Sequence, residues 1–185
     1  MYICMVKNNM EIQILDKTFV PYLSALKIDA EVQRMAKDLL TDYKDEVPVF
    51  LVVLNGAFIF AADLMKHYTS AAEISFIKMA SYNGTETTGN ITELLGLDID
   101  LTNKHVVIVE DIVDTGNTIA ALYNLVNRFK IKSINTATLF FKPEAYKQTI
   151  DIKYTGFSIE NKFIVGYGLD YNKQGRNLSE VYQIK

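Results

Sequence analysis

The chain has 185 residues, 49% of them hydrophobic and 22% charged, with a formal net charge of −3. That length buries a real core without disulfides, and the composition is too ordinary for global disorder. No block of Lys or Arg offers a face to nucleic-acid phosphates, and the single Cys4 excludes an intramolecular disulfide or a thiol zinc site.

Residues 1–4 lack the charged and apolar regions of a signal peptide. The longest apolar stretch, 57–65, is interrupted by Asp63 and is too short to span a bilayer. A cytoplasmic protein in a reducing compartment is expected, with neither a membrane nor a nucleic-acid partner.

In chain order, residues 11–15 alternate weakly and predict a short edge strand, while 19–26 are ambiguous. Across 29–43, Val32, Met35, Ala36, Leu39 and Leu40 recur at helical spacing, with Asp29 as a candidate N-cap. Residues 49–54 form a continuous apolar run of strand length, the pattern of a parallel strand buried on both faces. Asn55-Gly56 breaks it, and 57–68 reads as the following helix. A strand over 73–79 leads into a polar stretch, 81–90, with two glycines and three threonines: a solvated hairpin or a mobile flap. Strand character resumes at 91–97, and 106–109 is the most apolar strand of all. A helix over 117–129 and a strand over 133–141 follow. This alternation predicts an α/β fold with a mainly parallel twisted sheet flanked by helices. Short strands at 155–159, 163–167 and 181–184 predict a small appendage. No repeat or flexible linker divides the chain, so one domain over 1–185 is expected, with a core of about 29–150 and a hood from 1–28 and 151–185.

The chemistry concentrates in Val106-Val107-Ile108-Val109-Glu110-Asp111-Ile112-Val113-Asp114-Thr115-Gly116-Asn117-Thr118. In open parallel sheets, ligands bind beyond the carboxyl ends of strands, which is where Glu110 and Asp111 are expected. Taken alone, these acids read as solvated turn residues. Asp114-Thr115-Gly116-Asn117-Thr118 adds what an anion site at a helix start needs: a glycine for the tight turn, hydroxyl donors, and unpaired N–H groups. It is not a P-loop, because the G-x-x-x-x-G-K-[ST] spacing and its lysine are absent. An Asp/Thr cap on an ordinary turn would look similar. The joint occurrence of buried strand, paired acids, third acid and Thr/Gly turn favours a site for a phosphorylated sugar.

The same thirteen residues resemble the phosphoribosyl diphosphate (PRPP) signature of type I phosphoribosyltransferases. Further matches point to the hypoxanthine-guanine members. Residues 52–64, from Val52-Val53-Leu54-Asn55-Gly56 to Asp63-Leu64, resemble their diphosphate loop and its helix. Ser81-Tyr82 resembles the start of their catalytic flap. Lys142, the segment Phe163-Ile164-Val165-Gly166-Tyr167-Gly168-Leu169-Asp170-Tyr171-Asn172, and Arg176 resemble the purine pocket and its neighbourhood. The resemblance runs from about Glu46 to the C-terminus, in order.

It implies a type I phosphoribosyltransferase fold and attack of a purine ring nitrogen on the anomeric carbon of PRPP. Hypoxanthine, and guanine with it, would give IMP and GMP plus diphosphate. Glu110 and Asp111 would hold the ribose hydroxyls and Mg²⁺, with a second Mg²⁺ at Asp170. Asp114 would exchange a proton near N7, and Thr115, Gly116, Asn117 and Thr118 would hold the 5′-phosphate. Asn55, Gly56 and Arg176 would bind diphosphate. Lys142 would donate to the 6-oxo group, Phe163 would stack on the purine, and the Ile164 backbone would read the ring edge. Ser81 and Tyr82 would close over the reacting centre and exclude water. The resemblance further implies a homodimer or homotetramer, with the 57–68 helix at its interface.

Two departures stand out: Asn55 and Ala80 occupy places where family members commonly carry a basic residue, which bears on diphosphate affinity. His67 and His105 have no metal-ligand spacing and are assigned surface or packing roles. Two alternatives are an RNA-binding regulator on the same fold, which an acidic chain without basic clusters disfavours, and a transferase preferring xanthine or adenine. Lys142 with Phe163 disfavours adenine, while xanthine differs only at the 2-position.

Overall fold

The computed structural model describes residues 4–5, 11–81, 91–95 and 97–185. In chain order they form β1 (Cys4–Met5), β2 (Ile12–Ile14), β3 (Lys17–Leu23), α1 (Ala25–Asp42), β4 (Val49–Leu54), α2 (Phe58–His67), β5 (Glu73–Ser81) and β6 (Ile91–Leu95). Then follow β7 (His105–Val113), α3 (Asn117–Val126), β8 (Ser133–Phe141), β9 (Tyr154–Ser158), β10 (Ile164–Val165) and β11 (Val181–Ile184). Among these residues no helix is long and apolar enough to cross a membrane.

The two most apolar runs lie side by side in the main sheet, whose order is β6-β5-β4-β7-β8-β9. Five of its strands run parallel, and β6 alone is antiparallel, paired to β5. Alternation along β4 sorts its side chains between two layers. Phe50 and Val52 join α1 and α2 on one face. Val49, Leu51 and Val53 join α3 on the other. Both faces are covered, which is why β4 reads as unbroken hydrophobicity. Burying each Val, Leu or Phe of this kind stabilises the fold by about 1.5–3 kcal/mol.

Helix α1 presents Ile28, Val32, Met35, Ala36 and Leu39 to that core. It begins four residues before the expected Asp29, because Ser24 is the N-cap and its hydroxyl accepts the Lys27 N–H. Asp29 sits inside the helix, bonded to Gln33 (2.8 Å) and to His67 on α2 (3.0 Å). His67 thus ties two helices together, and His105 bonds Ser133 (2.7 Å) against the Tyr43 ring.

Two other expectations need correction. The strand at the acidic run does not end at Val109: β7 continues through Glu110 and Asp111 to Val113, because β8 pairs with it as far as Val113↔Phe141. The strand expected over 155–159 is not part of the appendage. As β9 it pairs in parallel with β8 and closes the main sheet. Tyr154 explains this placement: its ring is buried beside Tyr43, and its hydroxyl donates to Asp42 at the end of α1 (2.8 Å).

A second sheet, β1-β2-β3-β11-β10, is antiparallel throughout and is built from both ends of the chain. The ambiguous stretch resolves as β3, and the expected 163–167 strand shortens to Ile164–Val165. Ile12, Ile14, Phe19, Val165, Leu178 and Tyr182 form its own small core. This hood sits at the carboxyl end of the main sheet: the turn 166–170 reaches the loop between β4 and α2, where Gly168 Cα lies against the Gly56 carbonyl.

Candidate active site

Strand β4 pairs with β7 only as far as Val52↔Val109. Beyond that point β7 keeps β8 on one side and exposes its other edge to the Asn55–Gly56 turn. Glu110 and Asp111 occupy this stretch, and strand alternation sends them to opposite faces. Glu110 is buried, and its Oε2 has no hydrogen-bond partner. Burial, with the neighbouring Asp111 charge, pushes its carboxyl well above the usual range. Asp111 is also pushed up, to about 6, chiefly by burial; the Ile112 N–H bond (3.0 Å) and Arg176 pull the other way, while Asp170 pushes up.

Gly56 is required by this geometry. A Cβ there would overlap the Asp111 carboxylate, so only glycine lets the turn close on β7. The peptide bond before the turn, Leu54–Asn55, is cis. Gly168 (φ +98°) brings the hood turn against the same loop. Its carbonyl accepts Arg176 Nη1 at 2.6 Å, and Arg176 also pairs with Asp170. Asp170 accepts the Lys173 N–H as well (2.6 Å). Gly56, Asp111, Gly168, Asp170 and Arg176 therefore form one cluster, drawn from β7, the β4–α2 turn and the hood.

A second cluster lies where β7 and β8 end. Lys142 follows β8, is buried, and donates its backbone N–H to Val113 (2.9 Å). Its Nζ lies 3.4 Å from Asp114 Oδ2. A lysine at a strand end is ordinarily solvated, so this burial is a finding in itself. Asp114 is half exposed, open to a ligand.

Gly116 (φ +81°) caps α3, with no side chain bonded to the first-turn N–H groups. Those N–H groups lie at the helix start, with Thr115 and Thr118 on either side of it in the chain. Tyr146 packs so closely on Gly116 that a Cβ would overlap its ring. The Thr115 carbonyl accepts the Lys147 N–H (3.2 Å), and Asn117 Oδ1 accepts Gln148 Nε2 (3.1 Å).

The remaining expected residues are placed differently. Phe163 lies in the hood, half exposed, with its described ring contacts to Phe19 and Tyr171. Ile164 is buried and pairs with Gln183, but β10 is an edge strand, and among the described residues no strand lies beside its second backbone edge. Asn55 is exposed at the turn. Ser81 ends β5, and Tyr82 with the rest of the polar stretch 82–90 lies outside the described residues. Gln148, Tyr146 and Asp63 were missed by sequence reasoning. Only the alternating glycines around Tyr167 hinted that a turn would pack closely here.

A parallel sheet carrying paired acids, an uncapped glycine-led helix start and a hood over its carboxyl end defines a sugar-phosphate transferase. The chain belongs to the phosphoribosyltransferase family: the family model described as "Phosphoribosyl transferase domain" matches residues 22–172. Within that family it is similar to hypoxanthine-guanine phosphoribosyltransferases. One from Staphylococcus epidermidis is 37% identical over 167 residues, covering 88% of this chain and 93% of the relative. A hypoxanthine-guanine-xanthine phosphoribosyltransferase from Tritrichomonas foetus is 38% identical, covering 85% and 87%. The crystal structure of a hypoxanthine-guanine phosphoribosyltransferase from Bacillus anthracis superposes with a TM-score of 0.84 at 36% identity, covering 89% of this chain and 96% of that one.

Proposed function

We propose that this enzyme transfers the 5-phosphoribosyl group from PRPP to hypoxanthine and guanine, releasing diphosphate and forming IMP and GMP. The observation that carries this reading is the pairing of Lys142 with Asp114 beside an uncapped helix start. One end of that arrangement suits a 6-oxopurine and the other a 5′-phosphate.

The bond to diphosphate breaks as a purine ring nitrogen bonds to the anomeric carbon, through a transition state with oxocarbenium character. Positioning and electrostatics supply most of the acceleration. Glu110 and Asp111 hold the ribose hydroxyls, and Asp114 exchanges a proton at N7. Lys142 donates to the 6-oxo group; the amino group of adenine offers no acceptor there. The free edge of β10 at Ile164 reads the ring, and Phe163 covers its face. Gly56 and Asn55 present backbone groups to diphosphate, and Arg176 supplies charge. Ser81 and Tyr82 belong to the covering flap.

The acids present fit Mg²⁺. The buried Oε2 of Glu110 is left without a hydrogen-bond partner, and Asp111 lies near Asp170, so both strand acids offer oxygen ligands. Among the described residues no three such side chains form a metal cage. That suits an ion that keeps its waters and takes substrate phosphates as ligands. When bound, Mg²⁺ neutralises the leaving diphosphate. We further place the enzyme in the cytoplasm as a homodimer or homotetramer, with the α2 region at its interface. Phe58 at the start of α2 and Ile74 and Phe76 on β5, all left about half exposed, support such an interface.

The test is a panel of hypoxanthine, guanine, xanthine and adenine with PRPP and Mg²⁺, reading kcat/KM. Hypoxanthine and guanine should be turned over and adenine should not. Absence of turnover with every 6-oxopurine overturns the assignment.

A further inference from the structure

The segment 142–148 reaches from the base end of the site to its phosphate end. It starts at Lys142, whose Nζ meets Asp114, and turns back on itself through the Ala145 and Tyr146 N–H groups, which both donate to the Lys142 carbonyl. Tyr146 anchors the turn: its ring stacks edge-on against Phe141 (5.2 Å), and its hydroxyl donates to the Ile150 carbonyl (2.6 Å). From that anchored base the strap makes three contacts with the helix start. The Tyr146 ring covers Gly116, the Lys147 N–H holds the Thr115 carbonyl, and Gln148 Nε2 holds Asn117 Oδ1.

The last contact has a chemical sense. Asn117 is the first residue of α3, at the end where the helix dipole and free N–H groups favour an anion. A primary amide has a donor end and an acceptor end, and only the donor end suits a phosphate oxygen. An Asn117 oxygen turned toward the phosphate would repel it. Gln148 occupies that oxygen with a donor, which leaves the Asn117 NH₂ as the end available to the ligand.

We propose that Gln148 is a positioning residue for the 5′-phosphate, acting through Asn117 by fixing the orientation of its side-chain amide. The proposal rests on the reading of 115–118 as the phosphate loop and deepens it. Gln148 itself touches no substrate. Its side chain reaches Asn117 from 31 residues away in sequence, so the strap also makes the phosphate loop dependent on the element that starts at the purine site.

The experiment is a double-mutant cycle of Gln148→Met and Asn117→Ala, with titration calorimetry of IMP and, separately, of Mg²⁺-diphosphate. Methionine keeps the length of glutamine and removes its donor. Gln148→Met should weaken IMP about fivefold, the factor expected for one neutral hydrogen bond. Diphosphate affinity should be unchanged, which also shows that the variant is folded. In the Asn117→Ala background, Gln148→Met should have no further effect. Gln148→Glu, which can only accept, should turn the Asn117 amide round and weaken IMP more than Gln148→Met does.

Unchanged IMP affinity in Gln148→Met overturns the proposal. So does a loss that persists undiminished without the Asn117 amide, or one matched by an equal loss for diphosphate. A wild-type enzyme that binds diphosphate but not IMP brings down the phosphate-loop reading along with the inference.

Discussion

Asp111 carries opposing demands. Its place between β7 and Gly56 removes it from water, yet the proposed role of holding ribose hydroxyls beside a metal ion needs it ionised. The unfolded chain releases the proton near the ordinary 3.8, and the folded chain at about 6. Between these values the folded state holds the extra proton, so stability falls as pH rises through this window and levels off above it. Glu110, also raised, extends the fall to higher pH. The Asp111 share is worth at most about 3 kcal/mol, from a shift of roughly two pH units. Asp111→Asn should therefore raise the Tm of the ligand-free protein at neutral pH and flatten its pH dependence while destroying activity. Thermal unfolding across the acid-to-neutral range checks this, and a variant melting below wild type at pH 7 contradicts it. Asp114 poses the reverse case. It is half exposed, and an asparagine there keeps an oxygen acceptor facing the buried Lys142, so the substitution disturbs the fold little. Asp114→Asn should lower kcat by roughly 10²–10⁴-fold, the usual range for general acid–base catalysis, and largely retain PRPP binding. Single-turnover rates beside PRPP titration separate the two effects; an unchanged kcat removes Asp114 from proton transfer.

Among the elements, α2 connects the Asn55–Gly56 turn to the hood. It starts two residues after Gly56, without a side-chain cap, and its last turn carries Lys66 and His67 where the helix dipole favours cations. Asp63, midway along, accepts the Tyr167 hydroxyl at 2.6 Å. Tyr167 is buried and directly precedes Gly168, whose Cα packs on the Gly56 carbonyl. One hydrogen bond thus holds the helix behind the Asn55–Gly56 turn to the hood turn in front of it. Tyr167→Phe deletes only the hydroxyl and should cost about 1–2 kcal/mol, since the acceptor is charged but keeps Lys66 and some solvent. Denaturant unfolding with an unchanged m-value is the measurement; a wild-type midpoint would show that the hydroxyl bond adds nothing to the fold.

At the scale of the whole molecule, the main sheet is covered unevenly. Strands β4 and β7 are buried on both faces, but β5 leaves Ile74 and Phe76 about half exposed on the face that carries Phe50 and Val52. Phe58 at the start of α2 is also about half exposed. Large apolar side chains left exposed on a sheet face favour self-association. Phe76→Asp should convert the proposed oligomer to a monomer without unfolding it, seen as a fall in sedimentation coefficient with retained circular dichroism. A wild-type protein that sediments as a monomer at assay concentration removes the assembly from the proposal.

The sequence by itself determined the central strands, the buried face of α1 and the run from Val106 to Thr118. Burial on one or two faces imposes a periodicity that can be counted along the chain, and a glycine-led turn before a helix keeps its composition wherever it lies. Tertiary structure alone decided that β7 runs on through its two acids, because β8 continues to pair with it. The same is true of β9, which joins the main sheet because Tyr154 reaches Tyr43 and Asp42. Contacts between residues distant in the chain leave no local pattern: Gly56 against Asp111, Lys142 beside Asp114, Gln148 on Asn117, Tyr167 on Asp63. Side-chain chemistry names the groups able to act, but their approach is set by strand order and crossover, which no single segment encodes.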